Sequence, residues 1–432
     1  MKPITSRTSR CSMELQARRS FKETASLQPF LERSNGAMRV LVAFDKFKDS
    51  LTASRACEVT GAIFRNHFPD CLLEIASLTD GGEGFCEILT TAAKGRFETI
   101  GVRGPRGEPC TARLGLVQAE DLSGDVREVA SLPPRGVIAV FEMAAAAGLS
   151  LLVQKDRDPW ETSTHGVGDM ITRCIEKRVD VILLGIGGSA TNDLGFGALQ
   201  ALGLRFLDKD GRILERVRPS SWSKLIRMDG EIPDLPPIRI ACDVDNPLLG
   251  QSGATKVYGP QKGVLPRDLE RMEEELSVVA HVLIDATGEN PSALNESGAG
   301  AAGGLGFGLR AAAGASFVPG FPLVSAWLGL QEHIENADLI VTGEGRFDES
   351  SLRGKGPGLI VKMASKAAKP VLVLAGSVDS RAAAEIQGFY PKTVIREISN
   401  PKLSLEDNMR EASENLAKVL QDLIENENWN LS

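Results

Sequence analysis

The sequence lacks the marks of several protein classes. Its seven cysteines are odd in number and form no Cys-x-x-Cys pair, which excludes a disulfide framework and predicts reduced thiols. The four histidines show no i, i+4 spacing typical of a zinc site. No segment is apolar over the length that spans a bilayer, and no stretch fits the Walker A pattern G-x-x-x-x-G-K-[ST]. Any bound nucleotide therefore requires a different kind of loop.

The bulk composition is that of an ordinary globular protein with an acidic balance. Hydrophobic residues make up 42% and charged residues 25%, and the net charge is -8. An acidic chain is a poor binder of nucleic acid by bulk attraction, so we expect neither a nucleic-acid nor a membrane partner. A chain of 432 residues is longer than a single domain with one hydrophobic core usually is, so its length predicts two folded units. Whether the protein forms a homodimer stays open.

Residues 1–37 differ in kind from the rest of the chain. They are rich in serine and arginine, and basic side chains outnumber acidic ones. This composition is typical of a transit peptide for a mitochondrion or plastid, although Glu14, Glu23 and Glu32 are unusual in such peptides. A disordered extension, or translation that begins at Met38, fits equally well. We exclude this segment from the fold and expect a cytoplasmic protein unless it acts as a targeting signal.

From Arg39 onward, apolar segments repeatedly end in loops that are rich in glycine, acidic residues and lysine. Helical periodicity follows most of these loops, so the order is strand, loop, helix. Five such loops occupy residues 45–50, 79–84, 185–193, 243–247 and 342–348. Residues 101–128 alternate weakly instead and predict antiparallel strands. Because parallel strands bring their carboxyl ends to one edge, we expect the five loops to form a single enzyme site.

The loop that follows the apolar run Val181–Leu184 allows three interpretations. Gly185, Gly187 and Ala190 fit the G-x-G-x-x-A pattern of dinucleotide-binding folds. The same glycines fit a tight turn that serves only packing. The turn is also filled with side-chain donors and a carboxylate, namely Ser189, Thr191, Asn192 and Asp193. These side chains disfavour a dinucleotide loop, which prefers bare backbone, while the backbone N–H groups and the helix dipole beyond the strand end fit a loop that binds phosphate.

Carboxylates recur just past the predicted strand ends. They are Asp80, Glu83, Asp193, Asp243, Asp245, Glu344 and Asp348. Phosphoryl transfer needs such groups to bind Mg²⁺ and to accept a hydroxyl proton, and it needs cations such as Lys46, Lys48 and Arg346 to neutralise the moving charge. The alternative is that these carboxylates cap helices, as aspartate in such loops commonly does.

Taken together, the five loops resemble those of the bacterial-type glycerate kinases of the type 1 family. The motifs are Asp45–Ala53 (DKFKDSLTA), Thr79–Gly84 (TDGGEG), Gly185–Asp193 (GIGGSATND), Ala241–Leu249 (ACDVDNPLL) and Thr342–Asp348 (TGEGRFD). The resemblance spans residues 38–423 and implies ATP-dependent phosphorylation of D-glycerate. It implies 2-phosphoglycerate and ADP as products, with 3-phosphoglycerate as the alternative ester. An NAD(P)-dependent dehydrogenase of a small hydroxy acid and a non-catalytic sugar-acid or nucleotide sensor remain alternative hypotheses.

The resemblance also implies an α/β architecture with a flavodoxin-like parallel-sheet domain formed by both chain ends. A second α/β domain interrupts it, and the active site lies in the cleft between the domains. We place the flavodoxin-like domain at residues 38–97 and 296–432 and the inserted domain at residues 98–295. ATP and Mg²⁺ are the implied cofactors.

Within this family framework we assign residues to four roles as hypotheses. The catalytic residues are Asp193, as the base for the glycerate hydroxyl, with Lys46 and Lys48. Substrate-binding candidates are Asp45, Ser189, Thr191, Asn192 and Arg346. Nucleotide-binding candidates are the glycines Gly81, Gly82, Gly187, Gly188, Gly343 and Gly345. The metal candidates are Asp243, Asp245, Glu344 and Asp348.

Overall fold

The computed structural model describes residues 37–352, 354 and 356–426. The predicted extension, apart from residue 37, lies outside the described residues. The chain divides into two compact units: unit 1 comprises the residues up to Leu78 and those from Leu330 onward, and unit 2 is Thr79–Gly329. These boundaries differ from the predicted ones, because helix Phe85–Ala92 and strand Arg96–Arg103 pack on unit 2 strands.

Unit 1 begins with strand β1 (Arg39–Phe44), helix α1 (Ala53–His67) and strand β2 (Leu72–Ile75). The predicted N-cap of α1 is confirmed, since the Thr52 hydroxyl accepts a hydrogen bond from the Arg55 N–H at 3.2 Å. From its second residue to its end, β1 is buried. Its near-continuous apolar sequence is what a parallel strand covered on both faces requires.

The chain then forms unit 2, which is built on a six-stranded mixed sheet. Its elements in chain order are α2 (Phe85–Ala92), β3 (Arg96–Arg103), β4 (Pro109–Gln118), α3 (Gly124–Val129), β5 (Val137–Glu142), α4 (Ala144–Ala147), α5 (His165–Glu176), β6 (Val181–Gly185), α6 (Phe196–Ala201), β7 (Arg205–Leu207), β8 (Arg227–Asp229), β9 (Ile238–Cys242), α7 (Ala254–Lys262), α8 (Leu269–Thr287), α9 (Leu305–Ala313), β10 (Ser316–Pro319) and α10 (Gly320–Trp327).

The sheet of unit 2 has the strand order β10-β9-β6-β5-β4-β3. Strands β10, β9, β6 and β5 are mutually parallel, whereas β4 pairs antiparallel with both β5 and β3. The antiparallel strands predicted around residues 101–128 are therefore confirmed. Every residue of β6 is buried, as its unbroken apolar sequence predicts. The loops after β5, β6, β9 and β10 consequently share one edge of this sheet.

The chain returns to unit 1 with α11 (Leu330–Asn336), β11 (Leu339–Phe347), α12 (Glu349–Leu352), α13 (Gly356–Lys366), β12 (Val371–Val378), α14 (Ser380–Phe389), β13 (Thr393–Glu397), α15 (Leu405–Arg410) and α16 (Ala412–Asn426). The sheet order is β13-β12-β11-β1-β2, and every pairing is parallel. Read from β2, this is the flavodoxin-like order, so the predicted fold class is confirmed. The order reverses at β1, which puts the topological switch point between β1 and β11.

Each unit has its own hydrophobic core. The core of unit 1 joins β1, α1, β11, β12 and α16, and the core of unit 2 joins β5, β6 and β9 to the helices around them. The six cysteines in the described part of the chain are free thiols, as predicted. Among the described helices, none combines the length and the apolar character needed to cross a membrane.

Candidate functional site

The switch point of unit 1 brings together the loop after β1 and the end of β11. Asp45 follows β1 and is buried, and its N–H donates to the Gly343 carbonyl at 2.9 Å. The Asp45 carboxylate accepts the Lys46 N–H at 2.7 Å, and the Lys46 ammonium lies 4.0 Å from the same oxygen. Lys46 is half-buried and Lys48 is exposed. In doubly wound sheets ligands bind beyond the strand ends at such a point, so this loop is a candidate site.

The glycines at the end of β11 are required by packing. A Cβ atom on Gly343 would lie 1.8 Å from the Leu374 carbonyl oxygen, and one on Gly345 would lie 3.1 Å from the Lys48 backbone nitrogen. Between them Glu344 is buried. These contacts explain the glycines without a ligand, so their assignment to nucleotide binding stays a prediction.

Arg346 and Asp348 follow on the same strand end. The Arg346 side chain is exposed, and its Nε lies 3.2 Å from Asp348 Oδ2. The other carboxylate oxygen of Asp348 accepts the Ser350 N–H at 2.9 Å. Arg346 therefore keeps most of its guanidinium in solvent, where it can meet a carboxylate, while Asp348 orders the start of α12.

The glycines after β6 in unit 2 pack against residues 81 and 82. A Cβ atom on Gly185 would lie 2.3 Å from the Gly81 carbonyl oxygen, and one on Gly187 would lie 2.7 Å from the Gly82 Cα. The Gly187 N–H donates to the Gly81 carbonyl at 3.0 Å. The close approach that a G-x-G pattern allows is thus used by the protein's own backbone, which supports the packing interpretation. Gly188 is exposed.

Asp193 lies in the interior of unit 2. Its Oδ2 accepts hydrogen bonds from the Thr164 N–H at 2.7 Å, the Thr164 hydroxyl at 2.9 Å and the Gly197 N–H at 3.2 Å. Its Oδ1 accepts the Gly195 N–H at 3.2 Å. Burial raises the pKa of Asp193, and these hydrogen bonds oppose the rise. A carboxylate with no exposed surface does not reach a substrate hydroxyl, so the structure argues against the predicted base.

The three polar residues before Asp193 are buried as well. Ser189 is 7% exposed, and Thr191 and Asn192 have no exposed surface. The Asn192 amide donates to the Thr255 hydroxyl at 3.1 Å. The Thr191 hydroxyl and the Asn192 amide oxygen are buried without a hydrogen-bond partner in the described part of the chain, and the predicted substrate contacts of the three residues stay predictions.

Lys262 is a residue that sequence reasoning missed. It is buried at the end of α7, and its ammonium donates to the Thr191 carbonyl at 2.7 Å. Burial lowers the pKa of Lys262 to about 7, and the charge of Asp193 counteracts this. In the sequence, the one unusual feature of Lys262 is that it lies between Gly259-Pro260 and Gly263. Glycine and proline interrupt an ordinary amphipathic helix at these positions. Lys262 ties α7 to the loop after β6.

Four of the strand-end carboxylates of unit 2 are exposed, namely Asp80, Glu83, Asp243 and Asp245. Asp80, Asp243 and Asp245 accept hydrogen bonds from Gly82, Phe321 and Ser297, respectively. Partial burial raises the pKa of Asp243, and the negative charges of Asp80 and Asp245 contribute to the rise. The three groups therefore interact electrostatically.

The predicted metal ligands are divided between the units, with Asp243 and Asp245 in unit 2 and Glu344 and Asp348 in unit 1. Across residues 37–352, 354 and 356–426, no group of three or more His, Cys, Asp or Glu side chains is arranged to hold a metal ion. A site made by protein ligands alone is therefore not formed there.

Several of the strand-end carboxylates cap helices. Asp243 Oδ2 accepts the Phe321 N–H at 2.6 Å at the start of α10. Glu142, at the end of β5, accepts the Gly84 N–H at 3.1 Å and the Cys86 N–H at 2.7 Å at the start of α2. Asp193 accepts the N–H groups of Gly195 and Gly197 at the start of α6. The capping alternative thus accounts for part of the set.

The chain is similar to known proteins over nearly its whole described length. The model of the glycerate kinase family matches residues 40–426. The glycerate 2-kinase of Escherichia coli is 36% identical over 394 residues, which are 89% of this chain and 98% of that protein. The glycerate kinase of Halalkalibacterium halodurans is 36% identical over 343 residues, 78% of this chain and 85% of that protein. A crystal structure from Salmonella typhimurium described as a glycerate kinase 2 has a TM-score of 0.66 at 34% identity and covers 90% of this chain and 98% of its own.

Proposed function

Since the chain belongs to the glycerate kinase family and is thus a phosphotransferase with an alcohol acceptor, we propose that it transfers a phosphoryl group from ATP to D-glycerate. The products are ADP and 2-phosphoglycerate. The similarity to the Escherichia coli glycerate 2-kinase supports this proposal most strongly, because it extends over 98% of that protein. The 3-phosphoglycerate alternative has no such support.

The cations of unit 1 serve the phosphate and the carboxylate in this proposal. Lys46 is half-buried at the switch point, and its ammonium lies 4.0 Å from the Asp45 carboxylate. Phosphoryl transfer spreads negative charge over the transferred group, so a held ammonium stabilises the transition state more than a mobile one. Arg346 pairs with the carboxylate of glycerate, and Lys48 adds positive charge from the surface.

Mg²⁺ belongs to the proposal as the ion that arrives with ATP. It usually binds through one or two carboxylates together with phosphate oxygens and water, which does not require a complete protein cage. Asp80 and Asp245 fit this requirement, because both are exposed and their carboxylates supply oxygen ligands. When bound, the ion neutralises the phosphate oxygens.

The proton of the glycerate hydroxyl needs an accessible acceptor. Asp193 is buried, so we transfer this role to Asp243. Its pKa is raised by partial burial and by Asp80 and Asp245, which makes it a better base than an ordinary aspartate. One of its oxygens is held by the N–H of Phe321, and this fixes the carboxylate in position.

A coupled ADP-release assay on the full-length chain tests the proposal. With D-glycerate and MgATP we expect steady turnover that requires both substrates and Mg²⁺. L-glycerate is the stereochemical control, and NAD with D-glycerate tests the dehydrogenase hypothesis. Reduction of NAD without ADP release would favour the dehydrogenase. Binding of ATP or glycerate without turnover of either kind would favour the sensor.

A further inference from the structure

Unit 2 contains a cavity of about 630 Å³ that none of the accessible strand-end groups described above lines. It lies among the turn between β3 and β4, the start of α5, and residues 216–218. Its volume is within the range of small-molecule sites, roughly 300–1,000 Å³. Arg103, Arg216 and Arg218 line it, and Asp169 is the only lining carboxylate. In a chain of net charge -8, this is a local excess of positive charge.

The guanidinium groups of Arg216 and Arg103 differ in how far their charges are compensated. Arg216 is exposed and makes no hydrogen bond or ion pair with any residue in the described part of the chain. Arg103 Nη1 lies 2.5 Å from His165 Nε2. Because arginine only donates, this nitrogen of His165 is the acceptor in the contact. Arg103 Nε forms a long ion pair of 3.9 Å with Asp169 Oδ2, which also accepts the Arg103 backbone N–H at 3.0 Å.

Arg218 contributes a more ordered cation. Its Nη1 binds Glu161 at 2.7 Å, and its side chain is 18% exposed. The contact with Glu161 uses one nitrogen of the Arg218 guanidinium and leaves its other N–H donors available. The same contact restricts the rotamers of the Arg218 side chain. A preorganised guanidinium beside the unpaired Arg216 and the loosely paired Arg103 is suited to a phosphate group, which accepts several N–H donors at once.

The wall of the cavity is shared with the loop after β6. Ser163 and His165 line the cavity, and Thr164 between them donates both its N–H and its hydroxyl to Asp193. The packing is tight, since a Cβ atom on Gly197 would lie 2.0 Å from the Ser163 hydroxyl oxygen. A ligand that orders residues 163–165 therefore also orders Asp193 and its loop.

We propose that this cavity binds a small phosphate ester through Arg103, Arg216 and Arg218, and that its occupancy stabilises the loop after β6. The ester is either the product of the proposed reaction or another small phosphorylated metabolite. The binding of an ester does not depend on the proposed function. The identification of that ester as the reaction product rests on the proposed function.

Isothermal titration calorimetry on the full-length protein tests the binding. The probes are 2-phosphoglycerate and glycerol 3-phosphate, the second of which lacks the carboxylate of glycerate. Arg216→Gln should weaken binding at least tenfold, and added salt should weaken it in the wild type. Arg212→Gln is the matched control, because Arg212 is exposed near residue 216 but does not line the cavity. We expect a change of less than twofold for this control.

The outcomes separate the two sources of the ester. Arg216-dependent binding of both probes indicates a general phosphate-ester site, and such binding of 2-phosphoglycerate alone identifies the product. Equal affinities in wild type and Arg216→Gln, or an equal loss in Arg212→Gln, would overturn the site, as would no binding of either probe. Kinetic constants for ATP and D-glycerate measured without added ester should agree within twofold between Arg216→Gln and wild type, since Arg216 has no assigned role in turnover.

Hydrogen exchange tests the coupling to the loop independently of activity. Saturation with the bound probe should raise the protection of residues 189–197 in the wild type and leave it unchanged in Arg216→Gln. Unchanged protection of these residues while calorimetry shows binding would overturn the coupling. Failure of the ADP-release assay with intact probe binding would reject the proposed function and leave the site standing.

Discussion

Replacement of Asp193 distinguishes a structural carboxylate from a catalytic base. Asp193→Ala removes the acceptor of four hydrogen bonds from Thr164, Gly195 and Gly197 in a fully buried position. Each hydrogen bond to a charged group contributes about 1.5–3 kcal/mol, but the cost of burying the carboxylate offsets much of the sum. Removing one partner of such a buried network costs about 3–5 kcal/mol, and we expect that loss in the free energy of unfolding of unit 2.

Asp193→Asn gives a milder and more diagnostic perturbation. The amide oxygen can replace Oδ2 and keep three of the hydrogen bonds, while the amide nitrogen faces the Gly195 N–H, donor against donor. The expected cost is about 1–3 kcal/mol. Urea denaturation, followed by a probe in unit 2, measures it, and kcat of the folded variant should fall by less than about tenfold.

The base hypothesis predicts the opposite pattern for Asp193→Asn. Loss of a general base lowers kcat by about a hundredfold or more and need not affect stability. A variant with the wild-type unfolding transition and such a fall in kcat would refute the structural role. Asp210→Asn is the control, because Asp210 is half-exposed on a turn of the same unit and should change neither quantity.

Three further predictions concern other residues. Burial lowers the pKa of Lys262 from 10.5 to about 7 in the folded protein, so the unfolded state binds more protons between these values. Stability should rise with pH there by up to about 1.4 kcal/mol per pH unit, and denaturation series should lack this component in Lys262→Met. Gly187→Ala forces a Cβ to 2.7 Å from a facing backbone atom and should lower the thermal midpoint, whereas Gly388→Ala, in open space, should not. Lys46→Met should lower kcat/KM at least tenfold and more than Lys48→Met, because only Lys46 is held at the switch point; equal effects would contradict this.

Much of the fold was predictable because parallel strands carry a strong local signal. The buried apolar runs of β1, β6 and β9 and the alternation in β3 and β4 were all evident in the sequence. The flavodoxin-like order came from the family resemblance. The unit boundaries differ from the predicted domain boundaries, because the membership of α2 and β3 depends on their packing on β4 and β5, which no local pattern records.

The chemistry of the site was less predictable for a physical reason. A carboxylate at a strand end looks the same in the sequence whether it faces solvent or caps a distant helix. Asp193 is bound by a residue 29 positions away, Asp243 by one 78 positions away, and Lys262 binds a carbonyl 71 positions away. Such contacts decide exposure and pKa, and they arise only from the tertiary fold. The inter-domain cleft, the homodimer and the cytoplasmic location stay predictions.

Identification of the phosphorylated product most directly tests the central claim that this chain phosphorylates the 2-hydroxyl of D-glycerate. The full-length protein is incubated with D-glycerate and MgATP, and the product is analysed by phosphorus NMR and by its conversion with enolase, which accepts 2-phosphoglycerate directly. We predict a product that enolase consumes at once, formed in equal amount to ADP. A product that enolase consumes only after a mutase is added, or ADP formed without any phosphorylated glycerate, would contradict the account.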